Sequence, residues 1–210
     1  EAAVRRAAII GALGEIAEDT DILKSASKLA DKERTNPASV EPNLAGVTVR
    51  LAAKIGSSRF LKEATDTYLK RQKNGASPEL QQRYLIALSA VEKPGQIKKV
   101  LSYCLNGTIP QDQLRSILIP MLSRRKSQLI AWDFLQKYWD ALAPKIGSMG
   151  MARLVEATGA LPGGQKSNVR RFFTKHPVEE AKRALQKAIE AIEIRVELER
   201  RETKRLAHWL

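Results

Sequence analysis

Few residues in this 210-residue chain have the type and spacing to do chemistry, and they fall into a handful of places. Its two histidines, His176 and His208, stand too far apart to form the i, i+4 pair with which HExxH grips zinc from one helix face. No metal ligand is expected, and His176, next to Pro177, reads as a border of the last helix. Cys104 falls on an apolar helical face with no second cysteine to pair with, so it reads as a small buried hydrophobe. PGGQKS at 162–167 has the flavour of a phosphate loop but lacks both GxxxxGK[ST] and a preceding strand. The run SRRKS at 123–127 gathers Arg124, Arg125 and Lys126, whose charges suit an anion; such a loop is as readily just solvated, and its serines could equally accept a phosphate. Gln111 and Asp112 open a helix, where unpaired N–H groups favour a carboxylate as a cap or in the first turn, with a polar ligand contact as the alternative. Trp132 and Trp139, seven residues apart, share a helix face and read as packing anchors rather than a stacking platform. Arg50, Arg83 and Lys137 sit on helical segments and are expected on outer faces.

The elements that must position these residues all read as helices. The chain opens with a helix over 2–17, and a second ends near Arg34. Asn43 is expected to cap a third, 44–55, which Gly56 ends, and Ser57 or Ser58 to cap the next, up to Asn74-Gly75. Ser77-Pro78-Glu79 is a compact start signal, Lys93-Pro94-Gly95 a break, and Asn106-Gly107 a stop. One amphipathic helix is expected over 129–142, another from Pro144 to Thr158, and a short one over 165–175. Pro177 suits the first position of a long terminal helix, 178–210, with Val178, Ala181, Leu185, Ile189, Ile192 and Val196 along one side. No strand is convincing. The expectation is an all-α fold, an α-solenoid of HEAT-like antiparallel hairpins with about eleven helices, forming a single domain over 1–210 closed by the terminal helix.

Composition is that of a folded chain, with 43% hydrophobic and 28% charged residues. Every apolar run is broken by charge well short of the roughly 18 residues that suggest a membrane span. A soluble protein with no membrane partner is therefore expected, cytoplasmic or secreted according to what precedes Glu1. The opening EAAVRRAAIIGALGEIA resembles neither a signal peptide nor a natural start, which suggests a domain cut from a longer protein. The net charge of +13 raises a rival reading, a free-standing basic solenoid that binds nucleic acid or an acidic protein. Against it, the charges are scattered among glutamates and only 5% of residues are aromatic, so nucleic acid is an unlikely partner.

Three stretches in succession carry a family resemblance: KVLSYCLNGTIPQDQL at 99–114, AWDFLQKYWDAL at 131–142 and VRRFFTKHPVEEAKRALQKAIEAIE at 169–193. With VRLAAKIGSSRFLKEA at 49–64, they resemble the C-terminal helical domain of the aminopeptidase-N-like zinc metallopeptidases, as in the puromycin-sensitive and endoplasmic reticulum aminopeptidases. The resemblance implies a non-catalytic domain that covers the active site of its parent's catalytic domain and shapes a chamber for peptide substrates. Zinc and its HExxH belong to that other domain, and no cofactor is implied here. Arg124, Arg125 and Lys126 fall where family members often carry basic residues that could attract a peptide's carboxylate. Gln111 and Asp112 match the family's Gln-Asp pair. The arginine that precedes that pair in the family is replaced here by Ile109-Pro110, which puts any arginine-dependent role in doubt.

Overall fold

The structure, a computed structural model, describes residues 1–209, position 204 by its backbone only. Among the described residues every regular element is helical, so the fold is all-α. In chain order the α-helices are α1 (Ala2–Glu15), α2 (Thr20–Thr35), α3 (Pro42–Ile55), α4 (Ser58–Lys73), α5 (Pro78–Leu88), α6 (Pro94–Tyr103), α7 (Leu114–Ser123), α8 (Gln128–Lys137), α9 (Trp139–Leu142), α10 (Ser148–Ala157), α11 (Lys166–Lys175) and α12 (Lys182–Trp209). Leu210, expected to end the last helix, lies outside the described residues. The contacts divide the chain into two compact units, Glu1–Val100 and Leu101–Leu210.

In the first unit α3 is the central helix and packs against α1, α2 and α5. It can do so because it buries small side chains on several sides: Ala45, Thr48, Val49, Leu51, Ala52 and Ala53. Gly14 of α1 is part of the same fit. A Cβ there would stand 2.6 Å from both Leu51 methyl carbons, so glycine lets the two helices meet without displacing the Leu51 side chain. Caps follow local chemistry. Ser77 caps α5 through the Leu80 N–H with Pro78 in the first turn, and Gly75 takes the left-handed φ of +62° that ends the preceding segment. At α3 the cap is Glu41 rather than the expected Asn43. Pro42 occupies the first turn, and the Glu41 carboxylate accepts from the Asn43 and Leu44 N–H groups. Lys93-Pro94-Gly95, expected to break a helix, only begins α6, since α5 has already ended at Leu88 and proline is tolerated in a first turn.

In the second unit α12 lies on α10, on α11 and on the 3-10 turn Thr158–Ala160. Ala184, Ala188, Ile189 and Ile192 are its buried stripe, continued by Ala181 just before the helix. Val196, expected on that stripe, is 43% exposed, with Gly163 against one side of it. Pro177 does not start this helix. A 3-10 turn, Glu179–Ala181, comes first and the α-helix begins at Lys182. The expected single helix over 129–142 is two, α8 and α9, broken at Tyr138 with φ −116° and ψ 24°. Likewise Pro144 lies in a 3-10 turn, Ala143–Lys145, and α10 begins only at Ser148.

Candidate functional site

A hollow that contains two of the expected site residues lies at the start of α7. A 3-10 turn, Gln111–Gln113, supplies Gln111 and Asp112, and the first turn of α7 adds Arg115. Lys145 and the segment 146–150 at the entrance to α10 form the opposite wall of a cavity of about 270 Å³. Arg115 is seated by Gly150: a Cβ built on that glycine would lie 3.8 Å from Arg115 Cδ, in ordinary contact with the arginine stem. Asp112 has the first-turn place expected of it but makes no cap, since no side chain caps this turn or α7. Its Oδ2 accepts from Gln113 Nε2 at 3.0 Å instead.

Arg124, Arg125 and Lys126 are elsewhere. They form the turn between α7 and α8, at the far end of a ten-residue helix from Gln111 and Asp112, about 15 Å away along its axis. The expected site residues therefore make two patches, one at each end of α7. Arg125 and Lys126 are exposed, while Arg124 is half-buried. Ser127 closes that turn from inside. It is 1% exposed and its hydroxyl donates to the Met121 carbonyl at 2.7 Å, so of the two serines of this run only Ser123 is accessible to modification.

The tryptophans are packing anchors. Trp132 is fully buried and Trp139 nearly so; both meet Phe172 and Phe173 edge-on or tilted, with centroids 5.2–6.1 Å apart. Trp132 Nε1 donates to Asn168 Oδ1 at 2.6 Å, and His176 stacks on Phe172 at 4.6 Å, a border role as expected. Burial pushes the Cys104 thiol up to about 12, which leaves it an unreactive hydrophobe. Lys166 of the glycine-rich loop is tied to Glu193 of α12 at 2.6 Å and holds that loop to the terminal helix. Among the described residues no group of three or more His, Cys, Asp and Glu side chains is placed to hold a metal.

One charged cluster escaped the sequence reading. Arg83, expected on an outer face, is buried beside Glu33, which is completely enclosed. Glu33 accepts from Arg83 Nη1 at 2.6 Å, from Tyr84 Oη at 2.7 Å and from both Arg71 terminal nitrogens at 3.1 and 3.2 Å. Burial by itself would raise the Glu33 pKa. The hydrogen bonds from Arg71, Tyr84 and Arg83 and the Arg71 charge outweigh it and hold the carboxyl below its ordinary value. The available signal was periodicity, because Glu33 continues the buried line Ala26, Ala30 of α2. Arg50 is half-buried and pairs with Glu15, and only Lys137 is on an outer face as expected.

Residues 1–194 match the family model described as the ERAP1-like C-terminal domain. The chain belongs to that family. As an ERAP1-like C-terminal domain it is the helical, non-catalytic C-terminal part of aminopeptidase-type proteins, in keeping with the resemblance carried by residues 99–114, 131–142 and 169–193. The match takes in both patches of α7, the aromatic cluster and the buried face of α12. The remainder of the terminal helix, from Arg195 onward, lies beyond it. No helix of this domain, among the described residues, is long and apolar enough to cross a membrane.

Proposed function

We propose that this domain works in a zinc aminopeptidase by covering the active site of a separate catalytic domain and bounding a chamber for peptide substrates. The family match over 1–194 carries this reading. HEAT-like stacking of the hairpins would provide the wall of that chamber. The zinc, in this reading, belongs to the catalytic domain. In this reading the catalytic domain and peptide substrates are the partners. Gln111 and Asp112 make polar contacts to peptide, and Arg124, Arg125 and Lys126 attract its carboxylate.

The reading of parentage is tested by the reading frame upstream of Glu1. HExxH followed by a third glutamate ligand farther along a helix is expected there, and a frame without it overturns the assignment. The role of the basic turn is tested in the intact enzyme by reversing the charges of Arg124, Arg125 and Lys126. Peptides with a free C-terminus should lose far more kcat/KM than their amidated counterparts, and equal losses would contradict carboxylate attraction.

A further inference from the structure

We propose that Asn106 modifies itself: its side chain closes on the Gly107 amide nitrogen, expels ammonia and leaves an aspartyl or isoaspartyl residue in the loop before Gln111 and Asp112. The chain has two Asn-Gly pairs, Asn74-Gly75 after α4 and Asn106-Gly107 after α6, and they stand in opposite surroundings. At the first, both N–H groups that follow the asparagine are held by the end of the helix. Gly75 N–H donates to the Gln72 carbonyl at 3.3 Å and Ala76 N–H to the Arg71 carbonyl at 3.0 Å. At the second, the Gly107 N–H has no acceptor among the described residues, and the Thr108 N–H donates to Asn106 Oδ1 at 3.0 Å. Asn106 and Gly107 are both exposed. The nucleophile is therefore free, while the carbonyl it attacks is already polarised.

The reaction balances with water alone. The Gly107 nitrogen gives up its proton and bonds to Asn106 Cγ, closing a cyclic imide, while the Cγ–Nδ2 bond breaks and ammonia leaves with that proton. Water then opens the imide, at Cγ to give aspartate or at the Asn106 main-chain carbonyl carbon to give isoaspartate. Negative charge develops on Oδ1 in the first step, and the Thr108 N–H stabilises it there as a donor of an oxyanion hole does. No Cβ stands beside the attacking nitrogen, and nothing lies within 4 Å of where one would be. The other asparagines lack this opening: Pro37 after Asn36 has no N–H, and Leu44 and Val169 carry a Cβ beside theirs. The place of the product gives it a consequence. Ile109 is 2% exposed and its N–H donates to the Tyr103 carbonyl at 3.1 Å, so the loop is anchored on both sides of Asn106. Isoaspartate lengthens the main chain between those anchors and adds a carboxylate, which displaces the turn that carries Gln111 and Asp112. The inference stands whether or not the peptidase reading does.

The test incubates this 210-residue chain at mildly alkaline pH, folded and in guanidinium chloride, and follows Asn74 and Asn106 by peptide mapping that separates asparagine, aspartate and isoaspartate. In the folded chain Asn106 should convert about tenfold or more faster than Asn74 and yield both products. In guanidinium the two sites should converge, because the hydrogen bonds that set them apart are gone. Thr108→Pro removes the donor and should slow Asn106 by about tenfold while Asn74 keeps its rate. The converted chain should show shifted Ile109, Gln111 and Asp112 amide resonances. Equal rates in the folded chain, a preference that survives in guanidinium, a Thr108→Pro rate like that of wild type, or unmoved resonances after conversion would each overturn the proposal. The comparison of folded and denatured wild type needs no variant, so it holds even where Thr108→Pro fails to fold.

Discussion

Arg83 and Glu33, fifty residues apart in the chain, meet inside the first unit at 2.6 Å, Nη1 to Oε1. With Arg71 and Tyr84 they join α2, α4 and α5 through one carboxylate. Glu33 is fully enclosed and Arg83 nearly so, and the ion pair offsets their desolvation. Removing the carboxylate alone leaves Arg71 buried with no counter-charge among the described residues and Arg83 with only the exposed Glu79, 2.8 Å from its Nη2. Glu33→Ala should therefore cost about 3–5 kcal/mol in a urea melt. A loss under about 1 kcal/mol would show that the cluster contributes little.

The same carboxyl sets a pH dependence. Its folded pKa lies below the ordinary 4.5, so the stability it provides is fully present above that value and is lost as pH falls through the depressed folded pKa. The difference in unfolding free energy between wild type and Glu33→Gln should be constant from pH 7 to about 5 and shrink below 4.5. A difference that stays level down to pH 3 would contradict the cluster as drawn.

Trp132 tests the second unit. Trp132→Phe keeps most of the ring contacts with Phe172 and Phe173 but leaves Asn168 Oδ1 without its donor, and should cost about 1–2 kcal/mol. Trp132→Ala opens a cavity and should cost about 3–5 kcal/mol. Thermal melts of the two variants separate the hydrogen bond from the packing, and equal losses would show that the polar contact dominates.

The terminal helix is tested by where it is cut. Ile192 is fully buried and Arg195 donates to the Leu161 carbonyl at 3.0 Å, whereas among the described residues Glu197, Arg200, Arg201, Glu202 and Arg205 pair within the helix. A chain stopped after Val196 should melt cooperatively within about 1 kcal/mol of wild type. One stopped at Glu190 should unfold or dimerise. Gly159→Ala probes the same seam, since its Cβ would meet the Ala188 Cα at 3.0 Å and neither backbone can give way cheaply.

Local chemistry was legible in the sequence and long-range geometry was not. Ser77-Pro78-Glu79 and the glycines at 75 and 107 were readable because a cap or a left-handed turn is settled by neighbouring residues. The break at Tyr138 was not, because no glycine or proline marks it and apolar spacing continues from Trp132 to Leu142. Arg83 was misplaced for a similar reason: its partner is fifty residues away, and a charge on a helix is usually solvated. Of the site residues, Gln111 and Asp112 were found through the family pattern. Arg115 and Lys145 join them only because α7 and α10 pack together, a pairing that spacing along the chain does not reveal.

The role in the chamber is tested most directly by comparing kcat/KM for a long peptide and for a single-residue aminoacyl amide in the intact parent enzyme. The comparison is made before and after charge reversal at Arg124, Arg125 and Lys126. A wall of the peptide chamber predicts a loss for the peptide of about tenfold or more with the aminoacyl amide nearly unchanged. Equal effects on both substrates, or none on either, would contradict it.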